Sequence, residues 1–219
     1  TIVKDLSKNG LAVVNYESGT IRRLDSAVRM NTLGGVSMLN QEYRREQASQ
    51  YGGNHVYISL HANCAEDHLE INGNDYTEKE WERVSRTLER QPGELNCRHS
   101  ISYGITGISE NPYSKKERDE AERESTRKVS YQSDKKDSDG NYITKETTKY
   151  KASQVQRGIE TDIRRLKDQR NQLDKVNDKI AVTELNKQIK AKTVYYKQVS
   201  EQVGLNPKLN RLTVYDGRK

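Results

Sequence analysis

Along the first hundred residues the spacing of apolar positions changes repeatedly. Leu11-Ala12-Val13-Val14-Asn15-Tyr16 is a short apolar run closed by Glu17-Ser18-Gly19, the pattern of a strand and a turn. From Asp25, a helix N-cap candidate, Leu24, Val28, Gly35, Met38 and Tyr43 keep approximate helical spacing as far as Tyr51. Gly34-Gly35 in its middle costs about 2 kcal/mol relative to two alanines, so either another element packs closely there or the helix breaks. Gly52-Gly53 ends it. Residues 55–61 then alternate, with Val56, Ile58 and Leu60 on one face and His55, Tyr57, Ser59 and His61 on the other. Residues 62–76 read as a loop or short hairpin around Gly73. A helix follows over Thr77–Gln91, with a Thr77/Glu80 capping box, a Trp81–Val84–Leu88 stripe and Pro92-Gly93 as its stop. Residues 97–105 read as a second core strand.

The pattern then loses its apolar positions and later regains them. Residues 114–128 hold 6 basic and 5 acidic side chains, which fits a solvated helix or a mobile arm. Residues 133–141 form a surface turn, with Tyr131 and Tyr142-Ile143 placed to pair across it. From Thr147, Ala152, Val155, Ile159, Ile163, Leu166, Leu173 and Val176 recur at steps of three, four or seven. After Asn177-Asp178, Val182, Leu185, Ile189, Tyr196, Val199 and Val203 do the same. Two arms of about 25 residues, each about 38 Å long, give an antiparallel helical hairpin. Gly204 is its C′ residue and Pro207 prevents continuation. Leu209–Tyr215 is expected to return as a strand. The expected fold is α+β, a small mixed or antiparallel sheet with helices followed by a long antiparallel helical hairpin. Residues 1–146 form the α+β domain with a charged insert at about 106–146, and 147–219 form the basic hairpin and a C-terminal strand or tail.

Composition sharpens this picture. Of 219 residues, 32% are apolar and 32% charged, a core-poor balance. No run of 18 apolar residues exists to span a membrane, and no signal peptide is visible. A chain that begins at Thr1 fits a fragment or a processed product. Thirteen tyrosines against one Trp and no Phe suit half-wet assembly interfaces. The net charge of +6 is unevenly spread: residues 147–219 carry 17 Lys and Arg against 8 Asp and Glu, so the basic excess lies wholly there. Arg157, Arg164, Lys167 and Arg170 fall roughly opposite the Ile159–Ile163–Leu166 stripe. That face fits a phosphate backbone or an acidic protein ring, or is an ordinary solvated surface.

The densest chemistry is His61, Cys64, His68, Cys97 and His99. Cys97 and His99 are two apart on the expected strand and so share a face. His61, His68, Cys97 and His99, with Cys64 as a further candidate, can complete a tetrahedral zinc site, although the spacing is not that of a standard finger. The alternative is a buried polar cluster without metal. A Cys–His nucleophile lacks any sequence signal for an orienting group or an oxyanion hole. Glycine-rich phosphate loops are absent.

Several segments resemble the phage minor capsid proteins of the head-morphogenesis class, the portal-associated minor head proteins. They are Leu11–Tyr16 with Gly19 and Ala27-Val28-Arg29-Met30; Val56-Tyr57-Ile58-Ser59-Leu60-His61 followed by His68 and Gly73, similar to a Ser-x-His…His…Gly signature; and Asn96-Cys97-Arg98-His99-Ser100, similar to an Asn-Cys-Arg-His element. Tyr150–Arg157 continuing through Ile159-Glu160, Ile163-Arg164 and Lys167, and Asn210-Arg211, resemble its C-terminal elements. Cys64 departs from the family's usual small residue, and a charged helix stands after Gly73 where an apolar extended stretch is expected. The resemblance implies a structural, non-enzymatic protein of a tailed phage, located in the virion inside the head and assembled in the bacterial host cytoplasm. It implies the portal, other capsid proteins and packaged DNA as partners, and a part in head assembly, DNA packaging or ejection. A structural zinc is the one cofactor expected. The alternatives are a zinc-dependent nuclease or hydrolase built on the His/Cys cluster, and a plain nucleic-acid-binding protein.

Overall fold

A computed structural model describes residues 13–214. They fall into two compact units: residues 24–127 form one, and residues 13–23 with 128–214 form the other. The first is thus an insertion between two segments of the second. The expected boundary at 146/147 does not coincide with this division, because it cuts through a β-hairpin.

In the inserted unit, α1 (Leu24–Gln50) runs without a break through Gly34-Gly35. It turns Ala27 and Met30 inward. Gly34 faces the carbonyl of Gly93, 3.9 Å from where a Cβ would stand, so the expected close neighbour is present. Gln41 Nε2 donates to the carbonyl of Pro92 at 2.8 Å and Arg44 to that of Ile101 at 3.3 Å. The opposite face is apolar and open: Val28, Val36, Leu39 and Tyr43 are 52–71% exposed. Gly93 itself has φ +87°, and a Cβ there would stand 2.1 Å from Ser37 Oγ and 2.7 Å from Gln41 Nε2. Gly93→Ala is therefore expected to destabilise the chain by about 2 kcal/mol, read as a lowered denaturation midpoint with unchanged slope.

The sheet of this unit has the order β4 (Asp75–Thr77), β3 (His55–Ile58), β5 (Ile101–Gly104), all antiparallel. Val56, Ile58, Ile71 and Ile101 form its core, with Trp81, Val84 and Leu88 packed on it. Tyr57 is buried as well, its hydroxyl donating to the Ser109 carbonyl at 2.8 Å, so β3 is covered on both faces. The expected polar face is lost at that position. A 3-10 helix (Glu66–Ile71) and β4 occupy the expected loop. α2 (Glu78–Ser85) carries the expected Thr77/Glu80 capping box but ends six residues early. The charged stretch is a helix, α3 (Lys115–Thr126), opened by a second capping box from Ser114 and Glu117 and anchored by buried Ala121 and Ser125.

In the other unit, β1 (Val13–Asn15) pairs with β2 (Ile21–Arg23) through a turn at Gly19. The hairpin of β6 (Lys128–Lys136) and β7 (Tyr142–Thr148) is longer than the pattern suggests and bulges between Gln132 and Lys136. α4 (Lys149–Lys175) and α5 (Lys179–Gln202) pack along each other, with Gln156 bonded to Ser200 and Glu160 to Tyr196. Asn177, at φ +57°, closes α4: Asp178 N–H donates to Leu173 and Asn177 N–H to Asp174. Asp178 then caps α5 by accepting from Ala181 N–H at 3.0 Å. Gly204 ends α5 in the same way, with Leu205 N–H on the Ser200 carbonyl and Gly204 N–H on that of Glu201. Val129, Tyr131, Ile163, Tyr196, Val199 and Leu212 lie in the core. Leu212 belongs to a short 3-10 helix (Leu209–Leu212), not the strand expected over 209–215. The last five residues of the chain, and Leu11-Ala12 of the first expected strand, lie outside the described residues. No helix among the described residues is long and apolar enough to cross a membrane.

Candidate metal centre

The centre forms where the 3-10 helix, the turn at Leu95-Asn96 and the approach to β5 come together. The 3-10 helix turns His68 fully inward. Asn72, its C-cap residue, is locked by two backbone bonds: its Oδ1 accepts from His61 N–H at 2.9 Å and its Nδ2 donates to the His61 carbonyl at 3.0 Å. Leu95 and Asn96 follow each other at φ +46° and +68°, then Cys97 N–H returns to the Glu94 carbonyl at 2.7 Å. Left-handed backbone is costly for leucine and easier for asparagine. This turn, and not strand alternation, presents Cys97 beside His99. β5 begins only at Ile101, so the expected strand over 97–105 is shorter and the two side chains do not share a strand face.

Among the described residues, His68, Cys97 and His99 bring their ligating atoms together. Cys97 Sγ lies 3.2 Å from His68 Nδ1 and 3.3 Å from His99 Nδ1, and the two Nδ1 atoms are 3.4 Å apart. On the far side of the rings, His68 Nε2 donates to the Arg90 carbonyl at 2.9 Å and His99 Nε2 faces Asn72 Oδ1 at 3.0 Å. Arg90 makes a two-bond pair with Asp67, which keeps the Asp67 carboxyl below its usual range against the opposing effect of burial. Burial works to raise the Cys97 thiol, but the imidazoles of His68 and His99 outweigh it and hold the thiol at about 5.

The remaining candidates stand apart from this triad. His61 packs edge-on against His99, with ring centroids 4.7 Å apart, and its Nε2 lies 3.1 Å from both Ser59 Oγ and the Arg98 carbonyl. Cys64 is buried, donates to its neighbour's carbonyl on Ala65 at 3.2 Å, and lies 3.7 Å from His99 on the Nε2 side. Burial pushes its thiol up to about 12, which leaves it protonated. Asn72 is invisible to pattern reading because the register of a 3-10 helix leaves no periodic signal in the sequence, and the Arg90 carbonyl because it lies in irregular chain after α2. Beside the centre lies a cavity of about 910 Å³ lined by Glu66, Asp67, Glu70, Glu89, Asp119 and Glu122, among others.

The basic candidates on α4 are built into their own unit. Arg157, Arg164, Lys167 and Arg170 are all half-buried. Lys167 Nζ donates to the Leu212 carbonyl at 2.8 Å, Arg164 to Thr161 at 3.3 Å and Arg170 to Asn171 at 2.6 Å. Of these bonds only that of Lys167 reaches beyond α4, and all four cations are partly withdrawn from solvent.

The family model described as phage minor capsid protein 2 matches residues 1–199, all but the last twenty residues. The segment resembling that class at Asn210-Arg211 lies beyond the match. No curated protein and no solved structure matches the chain.

Proposed function

The chain belongs to the phage minor capsid protein 2 family, and from that premise we propose that it is a minor head component that docks on the portal. In that place it assists head assembly, DNA packaging or ejection, after assembly in the bacterial host cytoplasm. A structural role in the virion, with other virion proteins as partners, follows from the family itself. The match over residues 1–199 carries the reading. The open apolar face of α1 supports it, since Val28, Val36, Leu39 and Tyr43 are more exposed than a helix working alone in water would keep them. The half-buried cations of α4 give the contact less support than α1 does.

Peptide mass spectrometry of density-purified particles, intact and after DNA release, tests this reading. The expected result is a few copies per particle. Absence from clean particles would overturn a virion role for the chain. Val28→Glu with Leu39→Glu, both on the exposed face, is expected to cut incorporation at least tenfold while leaving the circular dichroism of the isolated chain unchanged. Undiminished incorporation would remove α1 as the contact.

A further inference from the structure

The geometry points to a zinc-type divalent cation held by His68 Nδ1, Cys97 Sγ and His99 Nδ1, with a fourth position left for water. The acceptors around the two rings fix the hydrogen positions. The Arg90 carbonyl can only accept, so the Nε2 of His68 at 2.9 Å carries a hydrogen. Asn72 is oriented by donating its Nδ2 to the His61 carbonyl and accepting with Oδ1 from the His61 N–H, so the atom facing His99 Nε2 is an acceptor. His99 Nε2 therefore carries a hydrogen too. With both Nε2 atoms turned outward to acceptors, the two Nδ1 atoms face each other at 3.4 Å and converge with the Cys97 sulfur, 3.2 and 3.3 Å from them. A cation at their common focus satisfies both and the sulfur together.

The dimensions agree. Zinc bound tetrahedrally at its usual bond lengths separates two nitrogens by about 3.3 Å and a sulfur from a nitrogen by about 3.6 Å. The observed separations are 3.4 Å for the nitrogens, and 3.2 and 3.3 Å for sulfur to each nitrogen. Each is within a few tenths of an ångström of the expected edge. The outer shell is of the kind metal-binding histidines use, a backbone carbonyl on one ring and a side-chain amide on the other. Two imidazoles and a thiolate are borderline-to-soft donors, which favour zinc over magnesium or calcium. His61 and Cys64 lie outside the set. Cys64 meets His99 on its Nε2 side, away from the focus, and His61 Nε2 is engaged with Ser59 and the Arg98 carbonyl. The ion would tie the 3-10 helix, the turn at Leu95-Asn96 and the approach to β5, stabilising a unit whose core is small.

The test uses the full chain, purified under reducing conditions, stripped with chelator and titrated with Zn²⁺ and, in parallel, Co²⁺. One ion per chain is expected. The Co²⁺ form should show a thiolate charge-transfer band in the near ultraviolet and intense four-coordinate visible bands. Cys97→Ser should abolish the thiolate band, and His99→Ala should abolish stoichiometric binding. Asn72→Ala should weaken affinity by about 10–100-fold. His61→Ala and Cys64→Ala should retain one ion with nearly unchanged affinity. A native chain that takes up no stoichiometric ion overturns the site. So does a thiolate band that survives Cys97→Ser, or a His61→Ala loss as complete as that of His99→Ala. Where a variant fails to fold, the Co²⁺ spectrum of the native chain decides. The result is independent of virion incorporation, so either proposal can fail alone.

Discussion

Tyr196→Phe is expected to destabilise the chain by about 3 kcal/mol although it removes a single oxygen atom. Tyr196 is fully buried on α5. Its hydroxyl donates to Glu160 at 2.8 Å and accepts from Lys208 N–H at 2.7 Å. Glu160 is itself buried, and its other oxygen has Arg211 at 3.8 Å. Burial raises the phenol to about 12, so it remains a donor throughout the working pH range. Phenylalanine preserves the packing but strips a donor from the buried Glu160 carboxylate and an acceptor from Lys208 N–H. The first loss exceeds the net worth of an ordinary hydrogen bond, because a buried carboxylate is left short of a donor. Urea denaturation monitored by circular dichroism should show the lower midpoint. A change under about 1 kcal/mol would mean that water reaches Glu160. Tyr196→Phe combined with Glu160→Gln should recover part of the loss, since a neutral amide is cheaper to leave buried.

Ile71→Ala is expected to cost about 3–4 kcal/mol in the inserted unit. Ile71 has no exposed surface and packs with Val56, Ile58 and Ile101. The core there is only four buried aliphatic side chains with a partly buried fringe, so no neighbour is free to collapse into the vacated volume. Ile71 also ends the 3-10 helix that places His68. The cavity should therefore loosen the His68–Cys97–His99 arrangement, and bound Zn²⁺ should recover part of the lost stability by mass action. Thermal unfolding with and without Zn²⁺ separates the two contributions. A loss below about 1.5 kcal/mol would show that α2 moves in to fill the space.

Much of this architecture is legible in the chain, and the illegible parts have definite physical causes. Helices α1, α4 and α5 are long enough for their apolar spacing to outweigh local ambiguity. The Asn177-Asp178 break is visible because asparagine tolerates the left-handed C′ conformation and aspartate caps the next helix. Thr77/Glu80 announces α2 through its side chains. The Ser114/Glu117 box is present in the same form but is hidden inside a charge run that reads equally well as an arm. β4 and the 3-10 helix have no period long enough to detect. In the centre, His68, Cys97 and His99 are legible as residue types because so few soft ligands occur in the chain. Their geometry is not, since it depends on two consecutive left-handed residues, Leu95 and Asn96, and leucine carries no sequence signal for that conformation. The surroundings of Lys167 on α4 are illegible for a related reason: a helical wheel separates faces of one helix but knows nothing of the Leu209–Leu212 turn, whose Leu212 carbonyl takes the Lys167 ammonium.

The insertion of residues 24–127 between β2 and β6 has a consequence for how the chain emerges during synthesis. Arg23, at the end of β2, ion-pairs with Asp168 of α4, 145 residues later. At about 5–20 residues per second, the ribosome needs roughly 7–30 s to deliver that partner. The inserted unit is complete well before then and can close on itself, while the β1–β2 hairpin waits for its partner on α4. Vectorial synthesis therefore imposes an order on the two units: the later one matures only when its last helices appear, and its first strands are held available by the early folding of the residues that separate them from their partners.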